Sequence, residues 1–215
     1  MESILAEERM IALEKFVEKS GWGKAELFPL KGDASFRRYT RLVLNGQSAL
    51  LMDAPKPHEN INAFLDMTAH LTHLGCRVAN IYEEDREQGF ALLEDFGDNT
   101  FKYLLGQQDC DETALYIKAV DVLKYLHSHK GATDVNIPFY DMDVLLREVN
   151  LLADWFIPEA TGHELTADQK DRFNMVWLNA LQGVSEDNSV LVLRDYFVDN
   201  LMLANEGTSS PNTGL

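Results

Sequence analysis

Near the end of the chain, Arg194-Asp195-Tyr196-Phe197-Val198-Asp199-Asn200 follows the apolar run Val190-Leu191-Val192-Leu193. Asp195 and Asn200 are residue types that can share one reaction. A carboxylate can take the proton of an alcohol as that alcohol attacks an electrophile, and a carboxamide oxygen can ligate a hard divalent cation. A tight loop can turn both side chains toward one phosphate group, which suits phosphoryl transfer assisted by Mg2+. The spacing alone also fits an ordinary strand-to-loop turn, since Asp and Asn favour turns. Leu193 stands where many loops of this chemistry carry His.

A second segment has the residues to handle phosphate. Lys31-Gly32-Asp33-Ala34-Ser35-Phe36-Arg37-Arg38-Tyr39 leads into a strand pattern. Small residues there let backbone N–H groups approach phosphate oxygens. Arg37 and Arg38 could add charge, because a guanidinium can bind phosphate through two parallel hydrogen bonds. A surface hairpin with solvated arginines fits the same residues.

The elements that must position these residues are legible as periodicities. Residues 3–19 predict an amphipathic helix with Met10, Leu13, Phe16 and Val17 on one face, ended by Gly21 and Gly23. Strands are expected over 35–44 and 47–53, joined by Asn45-Gly46, a pair that tolerates the positive φ of a type I′ turn. A helix over 59–74 places Ile61, Phe64, Met67, Leu71 and Leu74 together, and short strands are expected at 79–83 and 89–94. The rest reads as helical. Residues 111–129 place Leu115, Ala119, Val122 and Leu126 at helix spacing, and 141–155 give another helix. Thr166 and Gln169 form a capping box before Phe173, Val176, Trp177, Ala180 and Leu181. Residues 189–193 read as a buried strand, and Trp155, Phe156 and Trp177 as core. The class is α+β, with 1–96 as a small first lobe, 97–203 as a mostly helical second lobe, and 204–215 as a flexible tail rich in Ser, Thr, Asn, Gly and Pro.

Composition narrows the partners. Lys and Arg number 19 against 35 Asp and Glu, a net charge of −16 without a basic patch, which argues against nucleic acid and anionic membrane. Cys76 and Cys110 lack metal spacing, no apolar run approaches a membrane span, and the first residues do not read as a signal peptide. A cytoplasmic protein is expected. No HExxH, GxSxG or GxxxxGK[ST] motif occurs. Glu83, Glu84, Asp85 and Glu87 read as a solvated turn.

Four segments carry a further signal in their order: Gly32–Tyr39, then Leu51-Met52-Asp53-Ala54-Pro55, then Leu92-Leu93-Glu94-Asp95-Phe96-Gly97-Asp98, then Leu193-Arg194-Asp195 with Asn200-Leu201-Met202. This set resembles the aminoglycoside-phosphotransferase family, and within it the bacterial cell-wall sugar kinases. The resemblance covers residues 1–203. It implies a two-lobed, protein-kinase-like fold that uses ATP and Mg2+ on a small-molecule acceptor. That acceptor would be an amino sugar, N-acetylmuramate or N-acetylglucosamine, phosphorylated at the anomeric hydroxyl during cell-wall recycling. By position, Asp195 would be the general base and Asn200 a Mg2+ ligand. Gly32, Asp33, Ser35, Phe36 and Arg37 would face the phosphates. Residues 93–96, with Glu94 and Phe96, would form the hinge whose backbone binds adenine. An aminoglycoside or choline-like acceptor is the alternative within the family, and a non-catalytic nucleotide- or partner-binding module the alternative outside it.

Three departures accompany the resemblance. The second hairpin strand ends Leu51-Met52-Asp53 without the expected phosphate-holding Lys, and Arg37 is the candidate substitute. Asp95-Phe96-Gly97 spells a metal-binding triplet but lies 100 residues before Asp195, so a hinge role is expected for it. Only 15 residues follow Asn200, with Glu206 the one acid among them. The later strand with a second acidic metal ligand is therefore expected to be missing. The chain as given is expected to be a fragment with weak activity or none.

Overall fold

Tyr39, Arg41 and Val43 alternate with Thr40, Leu42 and Leu44, so the strand they form gives its sheet two different faces. The computed structural model describes residues 2–32, 35–203 and 213–214. Strand β1 spans Glu26–Pro29, β2 Arg38–Leu44, β3 Gln47–Asp53, β4 Ile81–Asp85 and β5 Phe90–Glu94. They pair antiparallel in the order β1-β2-β3-β5-β4. Asn45 (φ 53°) and Gly46 (φ 79°) make the expected tight turn between β2 and β3. β1 was not expected: its four residues are all exposed and too few to show a period.

Helix α1 (Glu2–Lys19) lays Phe16 and Val17 over Leu42, Ala49, Leu51, Phe90 and Leu92. Met10, expected on that face, is 60% exposed. Helix α2 (Ile61–His73) covers the other face, packing Ile61 and Leu65 against Met52, Ala91 and Leu93. Its N-cap is Asn60, whose side chain accepts from the Asn62 N–H. The short α3 (Phe101–Leu105) is capped by Thr100, and α4 (Glu112–Ser128) buries Leu115, Ala119, Val122 and Leu126 as its spacing predicts. Two-residue strands β6 (Met202–Leu203) and β7 (Thr213–Gly214) pair with each other. The other residues expected to form a flexible tail lie outside the described residues.

Internal contacts divide the chain into two compact units, Met1–Tyr125 with Asp195–Leu215, and Leu126–Arg194. The second unit holds α5 (Met142–Leu151), a π-helical turn (Leu152–Phe156), α6 (Ile157–Thr161) and α7 (Ala167–Ser185). Thr166 and Gln169 form the expected capping box of α7. Two expectations are corrected here. Residues 189–193 form no strand, because no described strand pairs with them; Leu191 alone is buried, and Val192 is 43% exposed. Trp155 and Phe156 are not core but 72% and 64% exposed. Pro158 cannot donate a helical hydrogen bond, and the wider π turn before it shifts the helical phase that the spacing assumed. Val176 on α7 is likewise exposed, while Trp177 is half-buried. Among the described residues, no helix is long and apolar enough to cross a membrane.

Candidate active site

The loop carrying Asp195 and Asn200 is closed by its own polar groups. The Asn200 side-chain amide donates to the Asp195 backbone carbonyl at 3.0 Å, and the Phe197 N–H donates to the same oxygen at 3.1 Å. The Asn200 N–H donates to the Phe197 carbonyl at 2.9 Å. Using its –NH2 this way leaves the Asn200 side-chain oxygen, an acceptor, outside this bond. Both residues are exposed. The anchoring comes from the residues between and after them. Tyr196, Val198 and Leu201 pack with Phe101, Leu115 and Ala119. The Tyr196 hydroxyl donates to the Ala119 carbonyl at 2.8 Å, and burial pushes its pKa up to about 12. Of residues 189–193, expected as a buried strand ahead of the loop, Leu191 alone is buried.

The same segment is stitched to the start of α3. The first N–H groups of a helix have no partner within it. Here Phe101 N–H donates to the Leu201 carbonyl at 2.9 Å and Lys102 N–H to the Val198 carbonyl at 3.0 Å. Leu203 N–H donates to the Asn99 carbonyl at 3.0 Å, and Lys102 Nζ lies 2.6 Å from Asp199. In the second unit, Arg194 adopts φ 52°, a conformation uncommon outside Gly. Its guanidinium lies 2.5 Å from Glu148 and over the Tyr140 ring at 5.9 Å.

The candidate phosphate segment lies in the same unit as Asp195. Asp33 is outside the described residues. Gly32 and Ser35 are exposed, and the Ser35 hydroxyl accepts the Arg37 N–H at 3.2 Å. Phe36 is 59% exposed and stacks on His58 at 4.5 Å. Glu59 organises this segment: its carboxylate accepts the Phe36 N–H at 3.2 Å and Arg37 Nε at 2.9 Å. Burial, the largest single influence, would lower the Arg37 pKa, but Glu59 and Tyr39 together outweigh it and hold the guanidinium charged. The Arg37 side chain is thus already matched by an anion.

At the end of β5, the Glu94 carboxylate is held by both Arg77 Nη atoms and by Asn80 Nδ2 at 2.6 Å. The Arg77 bonds keep its carboxyl below the ordinary range. Arg77 also lies 4.4 Å over the Phe96 ring. Glu94 and Phe96 are therefore brought together by their side chains, and any contact with an adenine there would fall to backbone groups. Asp95 is 2% exposed at its side chain, with Arg41 Nε 2.6 Å from its Oδ2 and the Gly97 N–H 2.9 Å from its Oδ1. Burial pushes the Asp95 carboxyl up, and the bonds from Arg41, Gly97 and Ser48 more than offset that, holding it low. A carboxylate so occupied fits a turn-forming role for the Asp95-Phe96-Gly97 triplet.

Among the described residues, no group of three or more His, Cys, Asp or Glu could hold a metal ion. The exposed Asn200 carboxamide could supply one oxygen to a Mg2+ ion. Three charged features were missed by sequence reasoning: Glu59 beneath the phosphate segment, Arg41 against Asp95 and Asp98, and Arg9 against Asp53. The signal for two of them was parity. Arg41 shares the α2 face with Tyr39, and Asp53 shares the α1 face with Ala49 and Leu51, so each charge had to be partnered inside the sheet.

Known proteins resemble this chain in sequence and in fold. The N-acetylmuramate/N-acetylglucosamine kinase of Pseudomonas aeruginosa is 37% identical over 205 residues, covering 94% of this chain and 58% of that protein. The kinase of the same name from Pseudomonas putida is 33% identical over 206 residues, covering 94% and 58%. The chain thus spans about 58% of the length of these curated relatives. A ternary complex of the aminoglycoside phosphotransferase APH(2″)-IIa with streptomycin and ATP superposes with a TM-score of 0.54 at 16% identity, covering 89% of this chain and 66% of that one. That likeness shows a shared kinase-like α+β fold. The family model described as "Phosphotransferase enzyme family" matches residues 26–210, and the chain belongs to that family.

Proposed function

We propose that this chain is the ATP-dependent phosphoryl-transfer part of a small-molecule kinase whose acceptor is an amino sugar, N-acetylmuramate or N-acetylglucosamine, phosphorylated at its anomeric hydroxyl. Residues 1–96 form the nucleotide-binding lobe in this reading, and a cytoplasmic location accords with ATP as donor. The observation that carries it is the closed loop in which the Asn200 amide is tied to the Asp195 carbonyl. That bond ties the Asn200 side chain to the Asp195 main chain, so both residues sit on one short turn. The names of the relatives supply the acceptor class.

In the proposed reaction the sugar hydroxyl oxygen forms a bond to the γ-phosphorus of ATP while the bond to the β-phosphate oxygen breaks. ADP leaves, and the hydroxyl proton passes to the Asp195 carboxylate. Asn200 would be a Mg2+ ligand, and the ion would offset charge on the phosphates. The backbone of residues 32–36 would cradle the phosphate oxygens.

The test is to incubate the protein with ATP, Mg2+ and each sugar and to locate the new phosphate by phosphorus NMR. An anomeric phosphate, formed slowly by these 215 residues, is expected, and Asp195→Asn should lower the rate by about 10²–10⁴-fold. A phosphate found only on aminoglycoside or choline-like acceptors would overturn the sugar assignment. Nucleotide binding without transfer by either form would overturn the catalytic one.

A further inference from the structure

We propose that Arg41, a residue of the sheet, is a positioning residue for the Asp195–Asn200 loop. The inference rests on the proposed function for its catalytic meaning, but its structural content stands separately. Arg41 lies on the α2 face of β2, and its guanidinium forks between two carboxylates. Nη2 donates to Asp95 Oδ1 at 3.1 Å and to Asp98 Oδ1 at 2.8 Å, and Nη1 donates to Asp98 Oδ2 at 3.3 Å. The two aspartates bracket the turn at Gly97, whose φ is +79°.

That turn leads directly into the residues that hold the loop. Thr100 N–H donates to the Asp98 carbonyl at 2.8 Å, and Thr100 caps α3 and forms an isolated bridge with Met202. The next two N–H groups, of Phe101 and Lys102, are the ones that bond the Leu201 and Val198 carbonyls on either side of Asn200. One guanidinium therefore sets the turn, the turn sets the start of α3, and α3 sets the height of Asn200. The Asn200 amide then reaches Asp195. Among the described residues, this run of contacts links the five-stranded sheet to the loop through main-chain hydrogen bonds and one charged side chain. Removing the guanidinium leaves Asp95 buried with its main counter-charge gone, and the turn must open to hydrate it.

The experiment is amide hydrogen exchange on the whole chain, comparing wild type, Arg41→Met and Asp98→Asn. Arg41→Met should raise exchange about tenfold or more at the Phe101, Lys102, Asn200 and Leu203 amides, while Leu50–Met52 in the sheet stay protected. Asp98 is 76% exposed at its side chain, so Asp98→Asn should fold and show the same pattern more weakly. Exchange raised only at 95–98 would overturn the proposal, as would a uniform rise through the sheet. Where transfer is measurable, Arg41→Met should lower kcat with KM for ATP changed less than about twofold. Weakened ATP binding with unchanged exchange at 196–203 would instead make Arg41 a nucleotide contact and sink the positioning role. If the wild type transfers no phosphate, the proposed function falls, while the exchange pattern still decides the coupling.

Discussion

The charge pair between α1 and β3 gives a quantitative test of how α1 is attached. Arg9 bonds Asp53 Oδ1 through Nη2 and through Nε at 2.9 Å, donates from Nη1 to the Gln88 carbonyl at 3.1 Å, and lies 4.7 Å over the Phe90 ring. The Arg9 side chain is 26% exposed and that of Asp53 12%. Removing one partner of a fully buried pair costs about 3–5 kcal/mol, mostly because the other charge is stranded. The quarter exposure of Arg9 lets water reach part of the gap, and a Met in its place keeps the apolar contact with Phe90. Arg9→Met should therefore cost about 2–3 kcal/mol. The three tryptophans allow a clean readout. Trp22 packs against the α1 cluster, whereas Trp155 and Trp177 belong to the second unit. Urea unfolding followed by Trp22 fluorescence in a Trp155→Phe/Trp177→Phe background reports the first unit alone. Asp53→Leu added to Arg9→Met should recover at least half the loss, because no charge is then left buried. A loss below about 0.5 kcal/mol, or a double variant weaker than Arg9→Met, would refute the reasoning.

Two other predictions use the same assay. Gly89 has φ +79°, and a Cβ there would come 2.3 Å from the Ala54 carbonyl oxygen, whereas Gly46, also at +79°, has open space. Gly89→Ala should cost about 3 kcal/mol or more and Gly46→Ala about 1 kcal/mol, and equal losses would show that the close approach is unimportant. The Glu94 carboxyl is held below its ordinary 4.5 chiefly by Arg77. A group with a depressed folded pKa adds stability that is present above the unfolded pKa and lost as pH falls through the folded one. The Arg77–Glu94 contribution should therefore be constant above about pH 5.5 and decline below 4.5, and Arg77→Met should flatten that part of the stability–pH curve.

The sequence carried those features in which one residue's own preference decides the outcome. Asn45-Gly46 can make the β2–β3 turn because both tolerate positive φ, and the Thr166–Gln169 capping box begins α7 through purely local bonds. The apolar spacing of 115, 119, 122 and 126 also held, since residues three and four apart lie on one face of a helix. Failures came where a distant partner decides. A four-residue β1 exists because β2 pairs with it, and residues 189–193 stay irregular because no described strand does. At the site, the types and spacing of Asp195 and Asn200 were visible, but the bond from the Asn200 amide to a backbone carbonyl was not. Main-chain acceptors leave no trace in residue identity. Glu59 escaped for a related reason: 22 residues separate it from Arg37, and nothing local marks the pairing.

The charges around the sheet bear directly on the missing phosphate-holding Lys. Arg9, Arg37, Arg41 and Arg77 lie against Asp53, Glu59, Asp95 with Asp98, and Glu94. A guanidinium already hydrogen-bonded to a carboxylate adds little net field at a nearby phosphate, because the two charges nearly cancel beyond a few ångströms. For Arg37 to bind phosphate strongly it would have to leave Glu59, and that carboxylate would keep, among the described residues, the Phe36 N–H while facing another anion. The exchange trades one charge-assisted pair for another and adds a repulsion, so its net gain is small. Arg37 is thus a weaker substitute for Lys than its position in the sequence suggests. In the proposed reaction the larger share of phosphate stabilisation falls to backbone N–H groups of the 32–36 segment and to Mg2+, neither of which requires a cation at Met52.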